Sequence, residues 1–480
     1  MEGGSAMTLD NRSTRCRLGL PALFVTAVLL AGPDDIAEAQ TTGIVEVEEA
    51  LTTYADAGNG AGPMWCYGST CIARQGDHVY ASVIETGQDV PLLCNTRWQL
   101  WHRSAQGWKL ARHEEQYRQR EPCPIGVHQR GALFLSVNPS TEPPGVKYGP
   151  CHPLVLEFNP ADLHADPRVN EPVWTDDTYF TDHSYRGFAA DGATGELLLL
   201  NIHARNSRQF VSWRDRDGRW HARGTITFPI RSCYPQVALR GGAAHVLAIG
   251  DIVEPVTEWR NLKREHTQRD WDYVFRRLFY TMTPAIADQP FIEPVEVDTV
   301  EETGGLIRNL DLFVDAEGAA HLLYTKQPHQ HKFLRDKCFP GQPMTTSLEY
   351  RLVRGGKVAH SRTLAGTLPD GTGLSPACAR FHVDGGERLH VIVAGTMTSK
   401  EKSSSFRNYL APLTGTTGLL RLAALDLEHP FSNFFTNTPR GGSTPGEIID
   451  LLGTTGEPNT IRYARIRLPE AKGAHPGSND

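Results

Sequence analysis

Two histidines, a tyrosine and an arginine stand at junctions between predicted strands and loops. His183 and His203 bracket the segment HSYRGFAADGATGELLLLNIH, which has the pattern of an apolar strand, a glycine-containing turn and a second apolar strand. Tyr234 precedes a proline at the start of the next predicted strand, and Arg260 follows in the loop beyond it. Because function is usually carried by strand ends and loops on a rigid scaffold, these residues are the candidate catalytic groups.

These residue types suit a reaction on a carboxylated sugar. An arginine can bind a carboxylate through two parallel hydrogen bonds, and a histidine can donate a further one, so that the negative charge is neutralised. A base can then remove the proton next to the neutralised carboxylate, and an acid protonates the departing glycosidic oxygen. Histidine and tyrosine are common choices for both roles, although tyrosine needs a cationic neighbour to lower its pKa. The residues therefore predict β-elimination at a uronic acid.

Tyrosines and an arginine near these groups are candidates for binding the substrate. Tyr185 and Arg186 lie beside the first histidine, and Tyr280 lies further along the chain. Structural roles are the alternative: a histidine at a strand end is often only hydrogen-bonded, and a tyrosine can fill an interface between sheets. Arg186 can likewise pair with a carboxylate such as that of Asp182.

Seven hairpin-like segments supply the elements that would position these residues. Each has an apolar start, a polar turn rich in glycine, and a second strand dense in leucine, valine and isoleucine. They begin at residues 72, 125, 188, 237, 313, 381 and 451. The intervals hold further strand pairs, such as RWQLWHRSAQGWKLAR and RQFVSWRDRDGRWHARG. Four antiparallel strands in each radial repeat predict an all-β fold, a seven-bladed β-propeller.

Other arrangements stay open, because the first and last repeats are faint. Six or eight blades, or a pair of β-sandwiches, would produce a similar alternation. Residues 41–60 are predicted to add an outer strand that closes the ring against the last repeat. A short helix is expected only within 258–278, in an insertion. No linker-like run divides the chain, so residues 40–469 are predicted to form a single propeller domain.

The two ends of the chain are predicted to lie outside the propeller. Residues 1–39 have the pattern of a signal peptide, with arginines before the apolar run LGLPALFVTAVLLAG and small residues at the predicted cleavage site. The apolar run is short for a membrane span, although an uncleaved anchor is the alternative. Residues 470–480 are expected to be a disordered tail. We therefore predict a secreted or periplasmic protein.

Charge and cysteine content limit the possible partners. The formal net charge is -7, so an anionic polysaccharide would need a local cationic site. No basic stripe indicates nucleic-acid binding, and no second apolar run indicates a membrane protein. We expect a monomer. Eight cysteines follow the predicted signal peptide, which permits disulfides in an oxidising compartment without specifying their pairing.

The residues named above resemble those of the propeller-type ulvan lyases. The bracketing histidines, the Tyr-Pro at 234–235 and the downstream arginine carry the resemblance, together with repeat segments such as DLFVDAEGAAHLLY and TIRYARIRL. Members of that family are secreted polysaccharide lyases that cut a sulfated algal polymer at its uronic residues. The resemblance implies that His183 and His203 are the catalytic histidines. It implies further that Tyr234 is the acid–base group and that Arg260 neutralises the carboxylate.

A second group of residues has the chemistry of a metal site. His329, His331 and Cys338 lie in KQPHQHKFLRDKCFPG, and Cys378 lies in SPACARFHVD. Sulfur and imidazole ligands suit Zn²⁺, although the spacing matches no zinc-finger signature. The resemblance to the lyases implies a structural zinc ion here with no role in chemistry. A Cys338–Cys378 disulfide is the alternative.

Two other functions remain possible. A propeller without catalytic activity could bind glycan or protein. A sialidase-like glycoside hydrolase would usually contain repeated Ser-x-Asp-x-Gly-x-x-Trp motifs, and only SWRDRDGRW comes near this pattern.

Overall fold

The inner strands of seven four-stranded antiparallel sheets form a closed ring around a central axis. The computed structural model describes residues 43–65, 68–175, 178–269 and 272–469. The predicted signal peptide and the predicted tail lie outside these ranges. Each inner strand contacts the inner strands of both neighbouring sheets in an unbroken cycle. The predicted all-β fold, a seven-bladed β-propeller, is confirmed.

The strand β1 (Ile44–Thr53) precedes the blades, which are numbered from 1 to 7 along the chain. Each of the first three blades begins with its innermost strand. Blade 1 consists of β2 (Ile72–Gln75), β3 (His78–Thr86), β4 (Thr96–Ser104) and β5 (Gly107–His113). Blade 2 consists of β6 (Ile125–Val127), β7 (Leu133–Val137), β8 (Leu154–Phe158) and β9 (Arg168–Asn170). Blade 3 consists of β10 (Gly187–Ala190), β11 (Leu197–Ile202), β12 (Gln209–Arg214) and β13 (Trp220–Ile226).

The later blades include the insertion and the ring closure. Blade 4 consists of β14 (Ser232–Arg240), β15 (Ala243–Gly250), β18 (Arg277–Thr283) and β19 (Val295–Thr299), with the pair β16 (Ile252–Val253) and β17 (Tyr273–Val274) inserted. Blade 5 consists of β20 (Leu306–Val314), β21 (Ala320–Gln327), β22 (Ser347–Arg354) and β23 (Lys357–Gly366). Blade 6 consists of β24 (Gly373–Val383), β25 (Leu389–Thr398), β26 (Ser404–Pro412) and β27 (Ala423–Ala424). Blade 7 consists of β28 (Asn433–Thr436), β29 (Ile448–Thr454) and β30 (Thr460–Arg467), with β1 outermost.

Blade 7 is built from both ends of the propeller domain. Strand β1 pairs antiparallel with β30, from Ile44 opposite Arg467 to Thr53 opposite Thr460. The predicted outer strand within residues 41–60 is therefore confirmed. Closing the ring in this way leaves β30 paired on both sides, so that the last hairpin is not left with a free edge.

The predicted hairpins differ from the observed ones in the last repeat. The first six are the inner pairs of blades 1 to 6. The seventh, beginning at residue 451, forms β29 and β30, the middle pair of blade 7. The inner pair of that blade is β28 and β29, joined by the long segment 437–447. The sequence pattern missed this pair because its loop is long and rich in proline and glycine instead of being a tight turn.

Strands near the axis are buried on both faces, since each blade is covered by a neighbour on either side. Every residue of LLLLNI in β11 is buried. Leu198 packs in a cluster that includes Val237 of blade 4, whereas Leu199 packs with Phe134 of blade 2. Full burial of each such side chain contributes about 1.5–3 kcal/mol. The apolar runs therefore reflect strands buried on both faces.

Two short α-helices and the 3₁₀ turn Glu301–Thr303 interrupt the strands in the described ranges. Helix α1 (Thr257–Thr267) lies between β16 and β17 and ends at Gln268, which has a left-handed backbone conformation. The predicted helix within 258–278 is thus confirmed in its first half, whereas Tyr273 onward forms strands. Helix α2 (Lys332–Cys338) follows β21 and was not predicted. None of the described helices has the length and apolar character that a membrane span requires.

Three turns share an aspartate that binds a histidine six residues later. The pairs are Asp215–His221, Asp315–His321 and Asp384–His390. In the last of these turns, Asp384 accepts backbone N–H groups from Gly386 and Arg388 at 2.9 and 3.0 Å and the His390 ring at 3.0 Å. Burial alone would raise the pKa of Asp384, but the hydrogen bonds from His390 and Arg388 lower it to about 2. The ionised aspartate therefore stabilises the turn.

Asp384→Asn is expected to lower Tm by about 1–3 °C at neutral pH, because the amide cannot replace the charged hydrogen bonds. The pKa of Asp384 is lower in the folded protein than in the unfolded chain. Its contribution to the free energy of unfolding is therefore fully present above the pKa of the unfolded chain and is lost as the pH falls toward 2. The Tm difference from wild type should shrink steadily between pH 5 and the lowest pH at which the protein stays folded. Asp217→Asn, at an exposed position in the first of these turns, is the control. A Tm difference between wild type and Asp384→Asn that does not depend on pH would show that the Asp384 charge does not stabilise the turn.

Candidate functional site

A bulge at the start of β14 turns Tyr234 out of the regular sheet. The register with β15 shifts between Cys233 and Gln236, and Tyr234 has a left-handed φ of 51°. Pro235 cannot donate a ladder hydrogen bond, and a bulge is where a strand tolerates proline. The Asn309 amide donates a hydrogen bond of 2.7 Å to the Tyr234 carbonyl and fixes this conformation. Bulges of this kind commonly re-aim a side chain at a functional site.

The side chain of Tyr234 joins three other rings in what we call the entrance cluster: Trp65, His183, Tyr185 and Tyr234. His183 stacks on Trp65 and Tyr185, with ring centroids 5.2 and 4.8 Å apart. Tyr234 meets Trp65 and Tyr185 edge-on at 5.6 and 4.9 Å. Tyr185 is buried and the other three rings are partly exposed. The cluster lies where the inner strands of blades 3 and 4 begin.

Trp65 reaches this cluster from the segment that connects β1 to β2. The Ser69 hydroxyl accepts the backbone N–H of Phe188 in blade 3 at 2.8 Å. At Gly68, a Cβ atom would lie 2.4 Å from the Pro235 carbonyl oxygen in blade 4. The connection therefore packs against the inner strands of blades 3 and 4, and only glycine fits at its closest approach.

An ionised carboxylate holds His183 in place. Glu121 is buried, and its Oε1 atom lies 3.6 Å from Nδ1 of His183. The Ser184 backbone and hydroxyl donate to Glu121 at 2.9 and 2.7 Å. Burial acts to raise the pKa of Glu121, but the nearby His183 ring, the Arg186 charge and the Ser184 hydroxyl lower it overall. Nδ1 of His183 therefore faces a carboxylate, and its other ring nitrogen points away from Glu121.

Arg231 brings a positive charge to the cluster. Its guanidinium carbon lies 5.2 Å from the ring centroid of Tyr185 and 5.7 Å from that of Tyr273. Asp251 binds the same guanidinium through a carboxylate oxygen at 2.5 Å. The side chain remains 28% exposed, so it can meet an anionic group from solvent. Sequence analysis missed Arg231, although it stands at the same strand entrance as Tyr234.

The other two predicted catalytic residues are not among the four rings of the entrance cluster. His203 is 3% exposed, stacks on Phe210, and accepts the backbone N–H groups of Arg205 and Asn206 at Nδ1. This imidazole therefore stabilises the turn after β11. Arg260 lies on α1 and forms an ion pair with Asp272. The histidines at the two ends of the hairpin thus differ in environment, and only His183 is in the cluster.

Two predicted substrate-binding residues are sealed inside the propeller. Arg186 donates to the backbone carbonyls of Ser136 and Pro122 at 2.9 and 2.7 Å and is 2% exposed. Arg186 therefore connects blade 3 to blade 2. The sequence analysis considered such a structural role for it, but its partners are backbone carbonyls and Glu121 instead of Asp182. Tyr280 is 1% exposed and is hydrogen-bonded to His245 at 2.6 Å. Burial raises its pKa, and it belongs to the core between blades 4 and 5.

The four predicted zinc ligands are not gathered at one point. His329 bonds the Thr303 carbonyl at 3.0 Å, and His331 stacks on Phe333. Cys338 ends α2, whereas Cys378 lies in β24 with its sulfur 3.6 Å from the Asn433 side chain in blade 7. Among the residues that the structure describes, no group of three or more metal-binding side chains occurs. A structural zinc ion does not fit these residues, and the alternative disulfide between Cys338 and Cys378 is absent.

A cavity of about 370 Å³ lies at the opposite end of the axis. It is lined by the turns that follow the inner strands, including Asp191, Arg240 and Val314, and by the blade 7 segment around Arg440. The entrance cluster stands at the start of the same strands, so the two features are separated by the length of a strand. None of the candidate catalytic residues lines this cavity.

Comparison with known proteins concerns the fold. No family model and no curated protein matches the chain. Among solved structures, it is similar to the polysaccharide lyase Uly1, with 11% identity over 90% of this chain and 95% of that chain, at a TM-score of 0.48. A Penicillium chrysogenum alpha-L-arabinanase complexed with arabinobiose is 14% identical over 72% and 92%, at a TM-score of 0.39. The β-propeller domain of the Trilobed protease from Pyrococcus furiosus is 9% identical over 84% and 98%, also at 0.39. These proteins differ in activity, so the similarity does not assign one.

Gly68→Ala is expected to displace the β1–β2 connection and disturb the ring contacts of Trp65, because the added Cβ would meet the Pro235 carbonyl. Forcing an atom into such a contact costs about 1–3 kcal/mol. Near-ultraviolet circular dichroism should lose intensity, and Tm should fall. Gly62→Ala is the matched control in the same connection, since no atom lies within 4 Å of its added Cβ. Identical spectra for the two variants would contradict the packing described here.

Proposed function

We propose that this protein is an exported polysaccharide lyase that cleaves a uronate-containing polymer, ulvan-like in chemistry, by β-elimination at the entrance cluster. The observation that carries the proposal is the convergence of the Tyr234 phenol and the His183 imidazole on one partly exposed aromatic surface. Arg231 adds a cation to that surface. An acid–base group, a hydrogen-bond donor and a positive charge are what elimination next to a carboxylate requires.

Each group has a distinct task in this proposal. Trp65 packs against the apolar face of a sugar ring. His183, backed by the Glu121 carboxylate, donates a hydrogen bond to the substrate carboxylate, and Arg231 supplies further positive charge. Tyr234, as phenolate, removes the proton next to the carboxylate, and the resulting phenol protonates the leaving oxygen. The products are an unsaturated uronate end and a new hydroxyl end.

Arg260 and His203 take lesser parts in the proposed reaction. Arg231 replaces Arg260 as the neutralising cation, because its guanidinium contacts the Tyr185 ring of the cluster whereas Arg260 lies on α1. Each of the two arginines is paired with an aspartate. His203 supports the turn after β11 from a buried position and does not meet the substrate.

Tyr234→Phe is expected to reduce kcat on a uronate polymer by about 10²–10⁴-fold, because the ring packing remains while the proton-transferring hydroxyl is lost. Turnover is followed as the ultraviolet absorbance of unsaturated ends, with ulvan and other uronate polymers as substrates. Tyr148→Phe is the matched control, since Tyr148 is 62% exposed and lies outside the cluster. Full activity in Tyr234→Phe would refute the assigned acid–base role.

A non-catalytic glycan-binding propeller is the second candidate, favoured by the aromatic character of the same surface. It predicts no absorbance change on any uronate polymer. It also predicts polymer binding in affinity electrophoresis that Trp65→Ala abolishes and that Tyr234→Phe leaves intact.

A further inference from the structure

Two histidine rings meet on the surface of blade 1. His78 begins β3, and His102 lies on the neighbouring strand β4. Nδ1 of His78 lies 2.8 Å from Nε2 of His102, and the two ring centroids are 5.0 Å apart. One of the facing nitrogens carries a proton in this contact and the other accepts it. The contact therefore joins two strands through imidazole nitrogens, which are common metal ligands.

The strand register explains why these rings meet. Tyr80 of β3 pairs with His102 across the two strands. Side chains two residues apart on a strand point to the same face of the sheet, so His78 and Tyr80 share a face with His102. The His102 ring stacks on the Tyr80 ring, with centroids 5.1 Å apart and planes 16° apart, and Tyr80 is buried. The paired strands and the buried tyrosine therefore hold His102 in place.

The pair is accessible from solvent and can present two lone pairs to one ion. His78 is exposed, and His102 is partly exposed. The ordinary pKa of imidazole is about 6.5, so free imidazole is mostly neutral in slightly alkaline solution. The shared proton can pass through water to the other nitrogen of its own ring, because neutral imidazole has two tautomers. Both facing nitrogens are then acceptors.

The separation of the two nitrogens is close to that of two ligands on one metal ion. Imidazole nitrogens bound to a tetrahedral ion at about 2.0–2.1 Å are about 3.3 Å from each other. The observed 2.8 Å therefore has to widen by only about half an ångström, which small ring rotations supply. Imidazole ligands suit Zn²⁺, Cu²⁺ and Ni²⁺, whereas Ca²⁺ and Mg²⁺ prefer oxygen ligands.

We propose that His78 and His102 together bind one divalent transition-metal ion of the Zn²⁺ and Cu²⁺ type between β3 and β4, with water in the remaining coordination positions. Two protein ligands make a weaker site than the three or four of catalytic and structural zinc sites, so the ion exchanges with solution. The inference does not depend on the proposed lyase activity, because neither histidine belongs to the entrance cluster.

Isothermal titration calorimetry tests the site, with metal-free protein and Zn²⁺ as the ligand. His78→Asn and His102→Asn should each weaken the tightest binding by about tenfold or more, because loss of a direct ligand costs at least as much as loss of an outer-shell partner. His113→Asn is the matched control, since His113 is an exposed histidine of the same blade that meets the Glu114 carbonyl. It should bind as wild type does. Wild-type affinity in both pair variants, or no binding by the wild type, would overturn the proposal.

Electron paramagnetic resonance identifies the ligands, with one equivalent of Cu²⁺ as the probe. The wild type should show coupling of the copper to two imidazole nitrogens, and His113→Asn should keep that signature. His78→Asn should lose it, and this variant retains the core packing because His78 is exposed. Coupling to two imidazole nitrogens that persists in His78→Asn would place the ion at other histidines and overturn the proposal.

Discussion

Pairing between β1 and β30 is the constraint on which the rest of the structure depends. A propeller has a defined axis only when its last blade is completed, and here the completing strand comes from the other end of the domain. The chain then leaves β1 directly into the connection that carries Trp65 to the cluster. Ring closure therefore also sets the position from which the aromatic surface of the candidate site is built.

Paired buried charges hold the blades together around the axis. Arg440 of blade 7 donates to the Gly68 carbonyl, to Gln236 of blade 4 and to Asp311 of blade 5, with the Asp311 contact at 2.6 Å. Arg186 performs a similar task between blades 2 and 3. A buried guanidinium is tolerated because its charge is paired and its N–H groups meet carbonyls. Arginines of this kind fix the geometry of the ring.

The repeat pattern was sufficient to predict the fold because it has a local physical cause. A strand buried on both faces must be apolar throughout, and a tight turn must contain residues that adopt its backbone angles, as in the hairpin ending LLLLNI. The last inner pair was missed because its connecting segment, 437–447, is not a tight turn. Helix α2 was missed because it is short and its stabilising contacts come from α1 and distant residues such as Gly304.

The candidate site was predicted only in part. His183, Tyr185 and Tyr234 were identified from strand ends, and these three do meet in the structure. Trp65, Glu121 and Arg231 were missed, since their relation to the cluster depends on how separate blades approach one another. Arg186 and Tyr280 have suitable chemistry in suitable positions, yet both are buried.

The sequence by itself determined the all-β repeat, the closing outer strand and the residue types at each strand entrance. Those properties depend on local periodicity and backbone preference, which neighbouring residues express directly. Only the tertiary structure decided which polar side chains face the axis, which pair with one another and which remain accessible. Burial and pairing depend on residues that are hundreds of positions apart in the sequence. Those residues come together only when the ring is closed.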